Sequence, residues 1–528
     1  MDERVRIGLV VRETEIRFRL IGKFRVDTDN GDVVDLSGGS FIAKVSTPTS
    51  EPQWGQRLQT FTGPEPAKLL HQEYGTFGID TRIVELGRPA HWGAAGELQT
   101  TSWAIVYGEE SSPEAALEQV RSMYGTLPAK RGEGAVAGWK RYKNQLLPPD
   151  PIRLNPPTGG QIQLLFEDGR TQTIPSPACF KSLDGLSHFE LGAVRIGIEF
   201  HWDHVETLPF RGSLEIVADG NRLTAVNELE LDEYLAAVLG SEMRPDWPVE
   251  SLAAQAVAAR STVLATRGRH HYGEAFDLCH DDHCQCYQGI SRESETARQA
   301  LLSVKGLLLA KDGRVADARY AKSCGGVADH YHVAWDEEDI SYMQPVICGP
   351  LEQHKPQTNP LDLSGEDLLH QFLETPPAFA ACNPESVHYP PSCSEMEELF
   401  RWNRRITRDQ LKVLVEKRSS RKLGFIRDLV PLEVGRSGRI RYLRVVGESG
   451  DIVVGKELAI RRLLSDSHLP SSAFVVHWEK NGDLRLEGIG WGHGVGMCQL
   501  GAAALASEGW SSNQLLKHYY PGATLVSK

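Results

Sequence analysis

Apolar positions along the 528 residues change their period several times. Before residue 150, short alternating runs, the mark of half-buried strands, are interleaved with segments whose apolar residues recur every three to four positions, the mark of helices facing a core. A strand–helix–strand pattern occurs twice there. The first copy runs through 56–61, 64–74 and 81–86; the second begins at 102–107 and continues into a helix over 113–124. Ser112 stands as a cap before Pro113, which suits a first helical turn. Both helices run into Tyr-Gly (Tyr74-Gly75 and Tyr124-Gly125), as a glycine C-cap does. A breaker-rich stretch at 146–151 closes this first region.

Residues 151–228 read as strands at 161–166, 171–174, 194–200 and 212–217, and Asp168-Gly169 between the first two marks a hairpin. From 229 the period lengthens. A helix over 231–239 is interrupted by Pro245 and Pro248. A longer one over 249–267 places Val249, Leu252, Ala253, Ala256, Val257, Val263 and Leu264 on one stripe. A third helix at 293–304 leads into a hairpin turning at Lys311-Asp312-Gly313-Arg314. The segment 350–425 is polar, proline-rich in its first half and helical at 408–417. Strands follow at 438–446 and 451–454, then a glycine-rich segment and a last helix over 511–518. The expected fold is α+β and multi-domain: an N-terminal α/β domain (1–150), a β-rich domain (151–228), and a mixed helix–strand core (229–528) with an insertion at 350–425.

Composition narrows the class. Hydrophobic residues make up 41% and charged residues 24%, which excludes a disordered chain. No run approaches the 18 or so apolar residues of a spanning helix. The net charge of −13 argues against a phosphate backbone as partner. The N-terminus shows no apolar secretory segment, which leaves a cytoplasmic location open. Nine cysteines are too sparse for a disulfide scaffold, but Cys279, Cys284 and Cys286 are clustered.

Four segments hold candidate chemistry. Glu242, in Gly240-Ser241-Glu242-Met243, falls where an apolar helix ends near Met243 and Trp247. A carboxyl beside apolar side chains resists ionisation, as a general acid at neutral pH must; the competing reading is a solvated helix-end glutamate. The run from His270-His271 through Cys279, His283, Cys284 and Cys286 supplies two thiolates and nearby imidazoles, a set that can close a tetrahedral zinc shell with no open position. A reduced thiol cluster or a Cys279–Cys284 disulfide competes, and the spacing leaves open which histidines complete the shell. The segment Gly488–Gly501 lets backbone approach a ligand closely, or is a tight turn in which His493 merely packs; neither the phosphate-loop nor the dinucleotide fingerprint fits it. Ser323-Cys324-Gly325-Gly326 presents a thiol near backbone amides, or a strand end with a buried thiol.

Taken in order, these motifs resemble one family. Tyr234-Leu-x-x-Val-x-x-Ser241-Glu242-Met243 is followed by Leu252-x-x-Gln255-Ala-x-Ala-x-Arg260, then Cys279 and His283-Cys284-Gln285-x-Tyr287. Ser323-Cys324-Gly325-Gly326, Trp335, Gly490-Trp-Gly-His493-Gly-Val-Gly-Met-x-Gln499-x-Gly501 and His518-Tyr-Tyr-Pro521-Gly522 complete the series. Over about 229–525 the chain resembles the stage II sporulation protein D family, also called the amidase-enhancer family. The doubled pattern near the N-terminus resembles the SPOR peptidoglycan-binding module, and a generic ferredoxin-like appendage reads the same way.

The family resemblance implies a peptidoglycan lytic transglycosylase whose catalytic acid is Glu242. It implies a structural zinc held by Cys279, His283, Cys284 and an upstream histidine, His271 or His270. Ser323, Gly325, Gly326, His493 and Gln499 become expected substrate-side residues. The implied location is the cell envelope, and the implied partners are glycan strands and a cell-wall amidase. Two other classes share the motifs: a non-catalytic peptidoglycan-binding protein that stimulates an amidase, and a zinc-dependent amidase. The sequence departs from the family pattern at Cys498, where serine is common, at the additional Cys286, and in the length of 350–425, with Cys382 and Cys393.

Overall fold

The computed structural model describes residues 3–27, 33–126, 151–198, 200, 202–335, 340–350, 362–375, 380–385 and 398–528. The fold is mixed α+β, as the pattern predicts. Cys393 and most of the 146–151 breaker run lie outside the described residues.

Two large sheets face one another. The first orders its strands Leu278–Cys279, Arg4–Glu13, Arg222–Glu230, Ser213–Asp219, Ala178–Ser182, Phe24–Asp27, Val33–Leu36. The second runs Thr171–Pro175, Gln161–Phe166, Gly39–Thr47, Glu15–Ile21, His188–Ile196, His204–Phe210. Alternating apolar residues from both fill the space between, with Phe18 of the second sheet 5.0 Å from Phe180 of the first. Residues 4–47 and 161–230 are thus interleaved in the same two sheets, and a division at 150 falls inside that unit.

The doubled strand–helix pattern forms a four-stranded sheet of its own. Its order is Ile152–Arg153, Trp54–Phe61, Ser102–Glu110, Thr81–Leu86, with the helices Pro64–Thr76 and Pro113–Thr126. Fourth, first, third and second strand side by side is the ferredoxin-like arrangement. This module is inserted between two neighbouring strands of the second sheet, Gly39–Thr47 and Gln161–Phe166. Arg153 anchors it to the sandwich: its guanidinium donates two 2.9 Å hydrogen bonds to Asp219, and both side chains are fully buried.

The strand Arg222–Glu230 runs directly into the helix Leu231–Glu242, three residues longer than the sequence predicts. The next helix, Val249–Thr266, departs from its expected single stripe. It is buried on every side from Ser251 to Thr266, while Val249 is exposed. A helix apolar all round is the centre of a core. Its alanines let it be enclosed by Leu231–Glu242, Glu295–Ser303, Gln499–Ser507, Ser512–Tyr519 and the strand Leu307–Lys311. Ser294 caps the N-terminus of helix Glu295–Ser303, and Ser511 opens helix Ser512–Tyr519 with a capping box.

The expected insertion extends further than 350–425. Strands Arg401–Ile406, Leu484–Ile489 and Phe474–Trp478 form one sheet, and Ile426–Val434, Ile440–Gly447 and Gly450–Gly455 another. With the helices Arg408–Ser419 and Glu457–Leu463 they enclose a separate apolar core.

Candidate functional site

Glu242 is the last residue of its helix and is partly buried. The helix comes close to the turn Gly289–Arg292 because residue 240 is glycine; a Cβ there would collide with the Arg292 carbonyl oxygen. Three segments distant in sequence meet at the carboxylate. The backbone N–H of Cys286 donates to Oε1 at 3.2 Å, and the Gln499 amide donates to Oε2 at 3.4 Å. Lys322 donates to the Glu242 backbone carbonyl and lies 5.9 Å from the ring of Trp247. Burial and the nearby Glu242 charge push both the Cys286 thiol and the Tyr320 phenol well above their ordinary values. These neighbours therefore stay protonated. A small cleft beside Cys286 is lined by Ile196, Trp202, Asp282 and Gln288.

Cys286 belongs to the thiol–imidazole loop, which is fixed at one end to the first sheet: Leu278–Cys279 pairs parallel with Ile7-Gly8. Beyond it, His280 places both ring nitrogens against backbone carbonyls, of Gly8 at 3.0 Å and Arg195 at 2.8 Å. It is thereby committed to the fold. The remaining donors converge. One atom each of His271, Cys279, His283 and Cys284 lies within 4.8 Å of all the others. Cys284 Sγ is 3.4 Å from His271 Nε2 and 3.8 Å from His283 Nδ1, and Cys279 Sγ is 3.8 Å from His283 Nδ1. A tetrahedral zinc with bonds of roughly 2.0–2.3 Å requires ligand atoms about 3.3–3.8 Å apart, so the donor set fits that ion. His271, not His270, completes the group. The described cysteines are all unbridged, which sets the Cys279–Cys284 disulfide aside in this structure.

The glycine-rich segment is a backbone-built wall. Ser323 and Trp491 exchange two backbone hydrogen bonds, of 3.1 and 2.8 Å, and Asp329 N–H donates to Gly494 O at 2.9 Å. Arg439, fully buried, donates to Gly492 O, to Cys324 O at 3.1 Å and to the Ser437 hydroxyl at 3.1 Å. Gly494 has no room for a side chain because this guanidinium sits where its Cβ would be. His493 lies 4.6 Å from Trp335 and accepts the Val495 N–H on Nδ1 at 3.1 Å. Burial, aided by Arg319, Arg439 and Arg461, pushes it down to about 3, so it is a neutral acceptor.

Of the expected substrate-side residues, Gln499 reaches Glu242. Ser323 is fully buried, and a Cβ on Gly325 or Gly326 would strike Gly490 and Ile489 or Phe372; all three serve as interior support. Cys324 is 1% exposed and surrounded by other thiols, which is the buried strand-end reading and not an accessible nucleophile. Lys322 and Arg439 were not singled out by the sequence. Lys322 is adjacent to Ser323-Cys324, a usable signal, whereas nothing local distinguishes Arg439 from other strand arginines.

The geometry can be set beside known proteins. Residues 219–310, which include the Glu242 helix and the thiol–imidazole loop, match the family model described as Stage II sporulation protein. Over that stretch the chain is similar to the Stage II sporulation protein family. Residues 329–496 match a second model, a domain of unknown function, DUF8618. The chain is 28% identical over 348 residues to an uncharacterized protein of Brachyspira hyodysenteriae, covering 65% of this chain and 80% of that one. It is 27% identical over 305 residues to the amidase enhancer of Bacillus subtilis, covering 56% of this chain but only 40% of the relative. It is 23% identical over 322 residues to the stage II sporulation protein D of Bacillus subtilis, covering 57% of this chain and 76% of the relative. Among the described residues no helix is long and apolar enough to cross a membrane.

Proposed function

We propose that this chain has a cell-wall role and acts as a peptidoglycan lytic transglycosylase outside the cytoplasm. The observation supporting this most directly is the carboxylate of Glu242, partly exposed at a helix end and fixed in orientation by N–H donors from distant segments on both oxygens, which suit the base form that receives the C6 proton. Protonated Glu242 donates to the oxygen joining N-acetylmuramic acid to N-acetylglucosamine, and the C1–O bond breaks as positive charge develops at C1. The carboxylate then takes the proton from the muramic C6 hydroxyl, whose oxygen attacks C1. The product is a 1,6-anhydro end, Glu242 regains its proton, and no water is consumed. Internal attack benefits from high effective molarity and needs no second carboxylate at glycosidase spacing.

His271, Cys279, His283 and Cys284 would hold a zinc ion, which supplies a fixed anchor for the loop when bound. The residue doing the positioning is Cys286, whose N–H orients the acid. A second reading, a non-catalytic glycan-binding protein that stimulates an amidase, is favoured by the name of the amidase enhancer relative.

The test is mass spectrometry of glycan strands, with and without stem peptides, after incubation with wild type and Glu242→Gln. Anhydro-muramic ends from wild type, reduced at least about a hundredfold in the variant, are expected for loss of a general acid. Intact strands that still co-sediment with the wild type would reject the enzyme in favour of the binding protein.

A further inference from the structure

A second group of thiols lies apart from the loop beside Glu242. Cys324, Cys348, Cys382 and Cys498 are each at most 1% exposed, and their sulfurs all lie within 4.8 Å of one another. They arrive from four segments: the Ser323–Gly326 turn, the loop before Gly349, the stretch after helix Glu366–Glu374, and the N-cap of helix Gln499–Ser507. We propose that they form a second metal site, a structural all-thiolate site for zinc.

Three observations support it. First, a tetrahedron with metal–sulfur bonds of about 2.3 Å has edges of about 3.8 Å. Cys324 and Cys382 stand 3.8 Å apart, too far for a bond and right for two ligands of one ion. All four sulfurs lie within 4.8 Å of one another, closer than the cysteines on different irons of an iron–sulfur cluster, which bridging sulfide holds apart.

Second, the sulfurs receive hydrogen bonds of the kind that support metal-bound thiolates. Cys498 Sγ accepts from the N–H groups of Cys324 and Gly501, both at 3.3 Å, and Cys324 Sγ from Gly326 N–H at 3.4 Å. Tyr519 Oη is 3.3 Å from Cys348 Sγ. Buried cysteines acting only as small apolar residues need no such donors.

Third, four thiolates around a divalent ion leave a net charge of −2, which a buried site must offset. Arg401 lies within electrostatic reach of Cys382 and Cys324. Arg439 donates to the Cys324 carbonyl from a fully buried position. Both cations reach the site from the segment between Cys382 and Cys498 in sequence. Soft sulfur donors favour zinc over magnesium or calcium, and a complete protein shell leaves no position for water.

The test is metal content by elemental analysis of the full-length protein purified without oxygen, independent of any activity at Glu242. Wild type should hold two zinc ions per chain. Cys284→Ala should retain one, and Cys498→Ser should retain one. If Cys498→Ser fails to fold, Cys284→Ala loaded with cobalt(II) answers the same question, since its remaining site should show the intense sulfur-to-cobalt absorption of four thiolates. One zinc in wild type that vanishes in Cys284→Ala would overturn the proposal. So would peptide mapping that finds disulfides among Cys324, Cys348, Cys382 and Cys498, or an unchanged metal content in a folded Cys498→Ser.

Discussion

Lowering the pH from 7 to 5 should destabilise the folded chain by about 2 kcal/mol through His493 alone. Its imidazole is pushed down to about 3, first by burial and then by Arg319, Arg439 and Arg461, whereas in an unfolded chain it titrates near 6.5. Because the folded value is the lower one, the unfolded chain takes up the additional proton between them. The contribution is therefore whole above about pH 6.5 and is lost as the pH falls toward the folded value. At pH 5 the unfolded imidazole is about 97% protonated, against about a quarter at pH 7, and the ratio of the two binding terms, about 25-fold, corresponds to about 2 kcal/mol. Urea unfolding of wild type and His493→Gln at both pH values measures it. Glutamine retains an acceptor for the Val495 N–H but does not titrate, so other groups cancel in the comparison and the variant should lose about 2 kcal/mol less. An NMR titration of the imidazole should place its midpoint well below 5. Equal losses in the two proteins, or a midpoint near 6.5, would refute the claim that the glycine-rich wall holds its half-buried histidine neutral beside arginines.

Gly240→Ala should destabilise by about 1–3 kcal/mol, because the new methyl group meets the Arg292 carbonyl oxygen. Gly75→Ala, in a helix with open space around it, should be neutral or stabilising by about 0.5–1 kcal/mol; thermal unfolding of the pair checks both. Asp219→Ala should cost about 3 kcal/mol by removing both Asp219 hydrogen bonds from the buried Arg153 guanidinium, which keeps the Glu274 carboxylate at 3.6 Å. Adding Arg153→Met to that variant should restore part of the loss, and a double variant no more stable than Asp219→Ala would contradict the buried-pair argument.

Local signals located part of the regular structure, but none of the five strands between Arg4 and Thr47. The strand Gln161–Phe166, the helices Arg408–Ser419 and Ser512–Tyr519 and the hairpin at Lys311–Arg314 lie where period and turn chemistry put them. What the sequence could not supply was pairing between distant strands. Arg4–Glu13 lies between Arg222–Glu230 and Leu278–Cys279, and no local feature of residues 4–13 names partners more than 200 positions away. The central helix departs from its single expected stripe for a related reason. Its small residues look like one apolar stripe with a polar remainder, yet Gln255, Arg260 and Ser261 are buried too. Arg260 is accommodated by the Val304 and Leu307 carbonyls and by Asp232, partners visible only after folding. At the site, the motif order drew attention to Glu242, Gln499 and the thiol–imidazole donors, all of which the fold brings into contact in two groups. Gly325 and Gly326 are explained by crowding against the Ile489–Gly490 backbone and the Phe372 ring, which a motif cannot distinguish from contact with a ligand.

The two thiol groups stand in a particular relation to Glu242. Cys284 is two residues from Cys286, whose N–H holds one carboxylate oxygen, and Cys498 is adjacent to Gln499, whose amide holds the other. Each N–H donor is therefore placed by a segment whose neighbouring thiol is tied to other parts of the chain. The first group joins its loop to the edge of the large sheet, and the second joins the Gln499 helix to the Ser323 turn and the Cys382 stretch. A helix-end glutamate on its own samples several rotamers, and one bond of about 1.5–3 kcal/mol from each side selects among them. Loosening either thiol group should thus act on the orientation of the carboxylate and leave its chemical identity intact. On the proposed function, Cys284→Ala and Cys498→Ser should lower turnover on glycan strands by about 10–100-fold, the range seen when supporting partners of a site are removed, and Glu242→Gln by at least about a hundredfold. Wild-type turnover in both thiol variants would break the link between the two scaffolds and the acid.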